Sequence, residues 1–159
     1  MSDISTNIES LIADTQSCML ATLDQNKQPD ASTTPYILEN KKLYIFISEL
    51  AAHTQNLKQT AKCSLMLTQD ETDTKNIFAR KRLIFKGDAQ FIDRASSTFN
   101  TVMPIFEQQR GKTVSLLKSL NDFHLVEITP KSGTYVEGFG AAYSFEEMEF
   151  ENAAQETGK

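Results

Sequence analysis

The sequence predicts a mainly β (α+β) protein built on an antiparallel sheet. Six or seven short apolar or β-branched segments are separated by turn-forming residues, and helical segments lie between some of them. The chain lacks the regular alternation of strand and helix that a parallel sheet needs. Closure of an antiparallel sheet into a small barrel removes the exposed strand edges that it would otherwise present. We therefore expect an antiparallel β-barrel with flanking helices.

The first half of the chain contains two predicted helices and three predicted strands. Apolar residues recur at helical spacing in the first segment, and the turn-rich stretches DQNKQP and ENKK separate the strands. The predicted segments are a helix at 3–15, strands at 19–24, 30–39 and 42–48, and a helix at 49–60. Because the three strands follow one another directly, we expect them to form an antiparallel meander.

The second half contains four further predicted strands and one helix. Gly87, at the centre of the second of these strands, predicts a bulge or a sharp bend. In the helix, Phe99, Met103 and Phe106 share one side, and we expect Pro104 to kink or divide it. The predicted segments are strands at 63–68 and 82–92, a helix at 95–109, and strands at 122–130 and 134–145.

Composition and charge limit the domain count, the location and the partners. The chain has 159 residues and a net charge of -5, which argues against general nucleic-acid binding because phosphate neutralisation needs a basic face. The N-terminal stretch lacks the basic and apolar regions of a secretory signal, so we expect a cytoplasmic protein without a membrane partner. We expect one domain over residues 1–146 and an acidic, flexible tail over residues 147–159.

The cysteines and histidines do not form a recognisable metal or disulfide motif. Cys18 and Cys63 have apolar neighbours, and we expect them to be buried free thiols. His53 and His124 are the only histidines, too few for a zinc site built from histidine and cysteine. His124 lies two positions after Asp122 on a predicted strand, so the two side chains share a face and can form a hydrogen-bonded pair.

Three consecutive cations precede the apolar strand in FARKRLIFKGDA, residues 78–89. Arg80 and Arg82 are expected to share one strand face about 7 Å apart, while Lys81 takes the other face. Two guanidinium groups on one face can clamp a phosphate or a carboxylate. Alternatively, the three cations keep an edge strand soluble, or they pair with the acidic segment just upstream, which comprises Asp70, Glu71 and Asp73.

A second candidate site lies in SELAAHTQNL, where a strand end leads into a helix. Ser48 ends the strand, and His53, Thr54 and Asn56 lie in the first turns of the helix. A helix N-terminus leaves backbone N–H groups unpaired and carries partial positive charge, so it can bind an anion. The alternative is that Ser48 serves only as the N-cap residue.

Three stretches of the chain resemble the haem-utilisation family of HutZ and HugZ type, within the pyridoxamine 5'-phosphate oxidase-like, FMN-binding split-barrel superfamily. They are MLATLDQNKQPDASTTPYILENKKLYIFISELAAHTQNL, DETDTKNIFARKRLIFKGDA and DFHLVEITPKSGTYVEGFGAAYSF. The resemblance runs from about residue 17 to residue 145. It implies a six-stranded antiparallel split β-barrel that forms a tight homodimer, with cofactor sites at the subunit interface.

The resemblance also implies roles for the candidate residues. Members that bind FMN hold its phosphate near the segment matching Ser48 to Asn56 and with basic residues on nearby strands, and the flavin ring would lie near Thr33 to Tyr36. Members of the haem branch bind haem through a histidine of the C-terminal tail, which is hydrogen-bonded to an aspartate that Asp122 matches. The implied cofactor-binding residues are Thr33, Pro35, Ser48, His53, Thr54, Asn56, Arg80, Arg82 and Asp122.

One departure from the family pattern leaves the cofactor open. Residues 147–159 contain no histidine, so the usual proximal ligand of haem iron is absent and His124 is a conceivable replacement. The bound cofactor is therefore either FMN or haem. Three functions remain: a protein of haem utilisation that binds or oxidatively degrades haem, an FMN-dependent oxidoreductase, and a flavin- or haem-binding module without turnover.

Overall fold

The computed structural model describes residues 3–157 and contains a large antiparallel sheet with four helices. The helices are Ile4–Asp14 (α1), Ala52–Gln59 (α2), Ser97–Arg110 (α3) and Thr113–Lys118 (α4). The strands are Ser17–Leu23 (β1), Pro29–Pro35 (β2), Ile37–Glu39 (β3), Lys42–Ser48 (β4), Lys62–Thr68 (β5), Arg82–Ile92 (β6), Phe123–Gly138 (β7), Ala141–Glu146 (β8) and Ala154–Gln155 (β9). The expected fold class is confirmed.

The main sheet closes on itself through the chain between β2 and β3. The strand order is β2-β1-β5-β6-β7-β4-β3, so its two terminal strands are neighbours in sequence and are separated only by Tyr36. If β2 and β3 are counted as two halves of one interrupted strand, the path contains six strands among the described residues. This agrees with the expected six-stranded barrel.

The expected meander of the first three strands is found, but the prediction of one continuous strand at 30–39 is wrong. The predicted strand 30–39 is interrupted at Tyr36, so that β2 pairs with β1 whereas β3 pairs with β4. Pro35 has no N–H to continue the ladder, and the Tyr36 N–H donates instead to the carbonyl of Gln16 at 3.1 Å. The Tyr36 hydroxyl is also bonded, at 2.9 Å, to the carbonyl of Ile12. These contacts turn the chain from one end of the sheet to the other.

The expected break between the last two strands is also misplaced. β7 runs through Pro130, and the turn that follows it lies at Phe139 and Gly140. The register shifts between Lys86 and Gly87, which confirms the bulge predicted at Gly87. A Cβ atom at Gly87 would lie 2.5 Å from the carbonyl oxygen of Thr129. The bulge therefore depends on close backbone contact between β6 and β7.

Local signals set the helix boundaries. The Asp3 carboxylate accepts a hydrogen bond from the N–H of Ser5 at 3.2 Å and caps α1. The Ser96 hydroxyl accepts from the N–H of Phe99 at 3.2 Å and caps α3. α3 continues through Pro104 and ends at Gly111, whose φ is 99°. The proline therefore does not divide the helix.

The buried apolar residues form two clusters on opposite faces of the sheet. One fills the barrel and includes Leu20, Leu65 and Phe85. The other lies between the outer face of β4 and α3, where the predicted apolar side of α3, Phe99, Met103 and Phe106, is buried. Cys18 and Cys63 are buried free thiols, as predicted, and burial raises the pKa of each to about 12.

The acidic segment after Glu146 packs an aromatic ring, that of Phe150, against two rings of the barrel. Phe150 is buried, and its ring centroid lies 5.0 Å from that of Phe145 and 6.3 Å from that of Phe85. β9 pairs with β8. Residues 158 and 159 lie outside the described part of the chain. Flexibility of the tail stays a prediction, and Phe150 marks where it would be anchored.

Candidate functional site

A cleft of about 340 Å³ opens where β4 ends and α2 begins. Three predicted site residues, Pro35, Ser48 and His53, line it. Its apolar walls are formed by Phe46, Ile47, Phe106, Val114, Leu117 and Phe123. A cleft of roughly 300–1,000 Å³ with apolar walls and few polar groups is the usual form of a small-molecule site. We therefore take it as the candidate functional site.

The corner between β4 and α2 brings Ser48 to the cleft. Its hydroxyl accepts a hydrogen bond from the N–H of Leu50 at 3.2 Å, within the turn that precedes the helix. α2 begins only after Ala51, which makes no side-chain cap hydrogen bond. The alternative that Ser48 is the N-cap residue of α2 is therefore wrong.

His53 lies in the first turn of α2 and contacts the cleft with a half-buried imidazole. Its Nδ1 shares a hydrogen bond with the Ser32 hydroxyl at 2.8 Å, and among residues 3–157 its Nε2 has no hydrogen bond. Burial lowers the pKa of His53 below the ordinary value, which favours the neutral ring. When Nδ1 carries the proton and donates it to Ser32, Nε2 presents a lone pair.

Three other predicted site residues do not line this cleft. Thr54 is fully buried, and its hydroxyl donates to the Ser48 carbonyl at 2.5 Å. Asn56 donates from Nδ2 to the Thr22 hydroxyl at 2.9 Å and to the Asp30 carboxylate at 3.0 Å, which ties α2 to β1 and β2. Thr33 is exposed on β2, because strand neighbours alternate between faces. Thr54 and Asn56 therefore hold α2 in place beside the barrel.

Arg80 lines a second cleft, of about 880 Å³, which α1, β1, β5 and the segment 69–81 enclose. Within the part of the chain that the structure describes, the two clefts share no lining residue. β6 begins at Arg82, so Arg80 precedes the strand, and the expected placement of both guanidinium groups on one strand face is wrong. Arg82 donates from Nη1 to the Arg80 carbonyl at 3.0 Å.

The alternative contact with the acidic segment is found for Arg80. Its Nη1 lies 3.5 Å from Oε1 of Glu71, and its Nε donates to the Gln69 carbonyl. Glu71 is largely exposed, so this ion pair contributes only about 0–1 kcal/mol to stability. Such a weak contact leaves Arg80 able to exchange Glu71 for another anion.

The expected pair between Asp122 and His124 is wrong. Nε2 of His124 bonds instead to the carboxylate of Glu49, and the Phe91 ring packs edge-on against the imidazole with centroids 5.5 Å apart. Asp122 is exposed just before β7, and its carbonyl accepts a hydrogen bond from the Glu49 N–H at 2.6 Å. Pairing of Ser48 with Phe123 brings Glu49 to this place, a register that the sequence does not reveal.

Arg110, which the sequence analysis did not single out, is the only Asp, Glu, Lys or Arg among the described residues that line the 340 Å³ cleft. Its Nε donates to the Tyr36 carbonyl at 2.8 Å, and its guanidinium carbon lies 5.6 Å from the centroid of the Tyr36 ring. An arginine in the last turn of a helix is ordinary, because it complements the helix dipole. Only the tertiary structure shows that Arg110 belongs to the cleft.

The described residues contain neither a cluster of metal-ligating side chains nor a membrane-spanning helix. Between residues 3 and 157, no group of three or more His, Cys, Asp or Glu side chains is arranged to hold a metal ion. In the same range, no helix has both the length and the apolar character needed to cross a membrane.

A six-stranded antiparallel barrel with flanking helices and a cleft at the β4–α2 corner defines a split-barrel protein. Residues 4–137 match the pyridoxamine 5'-phosphate oxidase family, and this chain belongs to that family. The resemblance that we found in the sequence is confirmed.

The chain is similar to two named members of this structural group. It is 36% identical over 124 residues to the heme oxygenase HutZ of Vibrio cholerae serotype O1, covering 78% of this chain and 70% of HutZ. The crystal structure of Vibrio cholerae HutZ, described as a haem storage protein, matches with a TM-score of 0.78 and 29% identity over 81% of this chain and 91% of HutZ. ChuZ of Campylobacter jejuni matches with a TM-score of 0.88 and 29% identity over 98% of this chain, which spans only 63% of ChuZ.

Proposed function

We propose that this chain is a homodimeric split-barrel protein of haem utilisation and that haem binds in the 340 Å³ cleft. The observation that carries the proposal is the 36% identity to HutZ over 78% of this chain, since HutZ is named both a heme oxygenase and a haem storage protein. The apolar walls of the cleft support it, because they would shield the faces of a porphyrin from water.

The two histidines of the chain differ in how well they fit a haem iron. A neutral imidazole is the usual protein ligand. His53 lies on the cleft with Nδ1 held by Ser32, the anchored form that metal-binding histidines adopt. His124 would first have to release Glu49. We therefore propose His53 as the iron ligand in place of the tail histidine that residues 147–159 lack.

A homodimer would bring together predicted site residues that lie in two different clefts of one chain. Within one chain, Pro35, Ser48 and His53 line one cleft and Arg80 lines the other. An apolar row crosses the outer face of β1, β5 and β6, where Met19 pairs with Met66 and Met66 pairs with Ile84. We propose that a second chain covers this row, so that the arginines of one subunit and the cleft of the other form one cofactor site.

An FMN-dependent oxidoreductase, or a flavin-binding module without turnover, is the second candidate. Membership of the pyridoxamine 5'-phosphate oxidase family and the lack of a histidine in residues 147–159 favour it. In this case the flavin ring would occupy the cleft beside Pro35, and the basic residues Arg80 and Arg82 would bind the phosphate.

Titration of the purified chain with hemin, and separately with FMN, tests the proposal. We expect a sharp Soret band with hemin. His53→Ala should broaden and shift this band as the iron loses its imidazole, whereas the matched variant His124→Ala should leave it unchanged. A chain that binds FMN and gives no Soret band would replace the proposal by the second candidate.

We extend the proposal to enzymatic degradation of haem and to a cytoplasmic location. The activity that the name heme oxygenase states for HutZ needs dioxygen and an external electron donor, so loss of the Soret band after addition of ascorbate in air is its test. A cytoplasmic location stays a prediction from the sequence, to be checked by cell fractionation.

A further inference from the structure

Arg110 is held in a fixed position at the cleft. It is half-buried at the end of α3, where Nε donates to the Tyr36 carbonyl at 2.8 Å and Nη1 donates to the Gln109 carbonyl at 3.1 Å. The Tyr36 ring lies against the guanidinium group, with its centroid 5.6 Å from the central carbon. These three contacts limit the rotation of a side chain that is usually flexible.

The charge of Arg110 has no counter-ion among the described residues. Between residues 3 and 157, no carboxylate forms an ion pair with Arg110, and its Nη2 has no hydrogen bond. No carboxylate of the described residues lines the cleft, and the walls beside Arg110 include Phe106, Val114 and Leu117. Burial lowers the pKa of Arg110, as expected for a partly desolvated cation that no anion compensates.

We infer that Arg110 binds the acid group of the ligand in this cleft, and that the cleft selects a flat aromatic molecule carrying a carboxylate or a phosphate. Arginine forms strong, directional hydrogen bonds with both groups. Since Arg110 is already held by backbone carbonyls, binding costs little further side-chain entropy. This inference rests on the proposed function. It adds the residue through which the cleft selects a negatively charged ligand. The carboxylates of haem and the phosphate of FMN share this chemistry.

Matched ligand pairs measure this selectivity directly. Hemin is compared with hemin dimethyl ester, which lacks free carboxylates, and FMN is compared with riboflavin, which lacks the phosphate. We expect the wild-type chain to bind the acid member of its pair at least about tenfold more tightly, since hydrogen bonds between charged groups are strong. A preference for hemin over its dimethyl ester identifies a carboxylate as the acid group that the cleft binds. A preference for FMN over riboflavin identifies a phosphate.

Three variants isolate the role of Arg110. Arg110→Gln should lose most of the preference for the acid member over the neutral member. Arg110→Lys keeps the charge at the end of α3 and should retain part of the preference even if Arg110→Gln folds poorly. Arg94→Gln is the control, because Arg94 also donates to backbone carbonyls but does not line the cleft. It should keep the full preference.

The outcomes separate this inference from the proposed function. If the wild-type chain prefers the acid ligands and both Arg110 variants keep the same preference, the inference is wrong while the proposed site stands. If the wild-type chain binds both members of each pair equally, the inference is also wrong. If it binds none of the four ligands, the proposed function fails and the inference fails with it.

Discussion

Glu49 at the β4–α2 corner and His124 of β7 form a hydrogen-bonded pair. The same carboxylate accepts a hydrogen bond from the Lys58 ammonium group of α2, and the Glu49 N–H donates to the Asp122 carbonyl. Glu49 therefore joins β4, α2 and β7 at one end of the barrel. Since Lys58 and His53 both lie on α2, the contact between Glu49 and Lys58 helps to hold the cleft in shape.

Stability should decrease in acid partly through Glu49. Hydrogen bonds from Lys58, Gln55 and His124 lower the pKa of Glu49 from 4.5 to about 2. Because the folded-state pKa is the lower one, the contribution is complete above about pH 4.5 and is lost as the pH falls towards 2. Urea unfolding between pH 2.5 and pH 7 should show a smaller decrease for Glu49→Gln than for the wild-type chain.

A control variant distinguishes the contribution of Glu49 from the general loss of stability in acid. Glu9→Gln changes an exposed carboxylate of α1 and should follow the wild-type pH profile. Equal slopes for Glu49→Gln and the wild-type chain would contradict the assigned role of Glu49.

Phe150 should stabilise the barrel even though it lies in the acidic segment. Its ring packs on Phe85 and Phe145, so Phe150→Ala should lower the free energy of unfolding by about 3 kcal/mol. Phe139→Ala is the matched control, since Phe139 is 73% exposed and should change stability by less than about 0.5 kcal/mol. Equal effects of the two variants in urea unfolding would show that Phe150 is not part of the core in solution.

Gly87 should tolerate no side chain. A Cβ atom there would lie 2.5 Å from the Thr129 carbonyl oxygen, so Gly87→Ala must displace β6 from β7 and should cost about 1–3 kcal/mol. At Gly138 an added Cβ atom meets no atom within 4 Å, so Gly138→Ala is the control. Thermal unfolding should give a clearly lower midpoint only for Gly87→Ala, and similar midpoints would argue against close strand contact at the bulge.

The proposed dimer should depend on Met19. Met19 is 48% exposed and lies in the apolar row of the outer sheet face, so a charge in Met19→Glu should be costly to bury between two chains. Sedimentation velocity should give the mass of a dimer for the wild-type chain and of a monomer for Met19→Glu. Leu116→Glu, at a 66% exposed position of α4, should remain dimeric. A monomeric wild-type chain would remove the dimer from the proposal.

The sequence alone located part of the candidate site. It indicated Ser48 and His53 because a strand that leads into a helix produces a recognisable local pattern, and it indicated Pro35 through the family resemblance. It did not indicate Arg110, which lies far along the chain and has an ordinary helical context. It also placed Thr54 and Asn56 in the site, although both are buried in contacts that hold α2 against the barrel.

The bounds of most helices and strands were determined by the sequence, because the spacing of apolar residues and the capping residues act within a few positions of the chain. The alternating burial of β1 and β5 shows this local control. The tertiary structure decided that the chain crosses the barrel at Tyr36, that His124 bonds Glu49, and that Arg110 reaches the cleft. These contacts join residues far apart in the chain, so they depend on strand order and register, which no local pattern encodes.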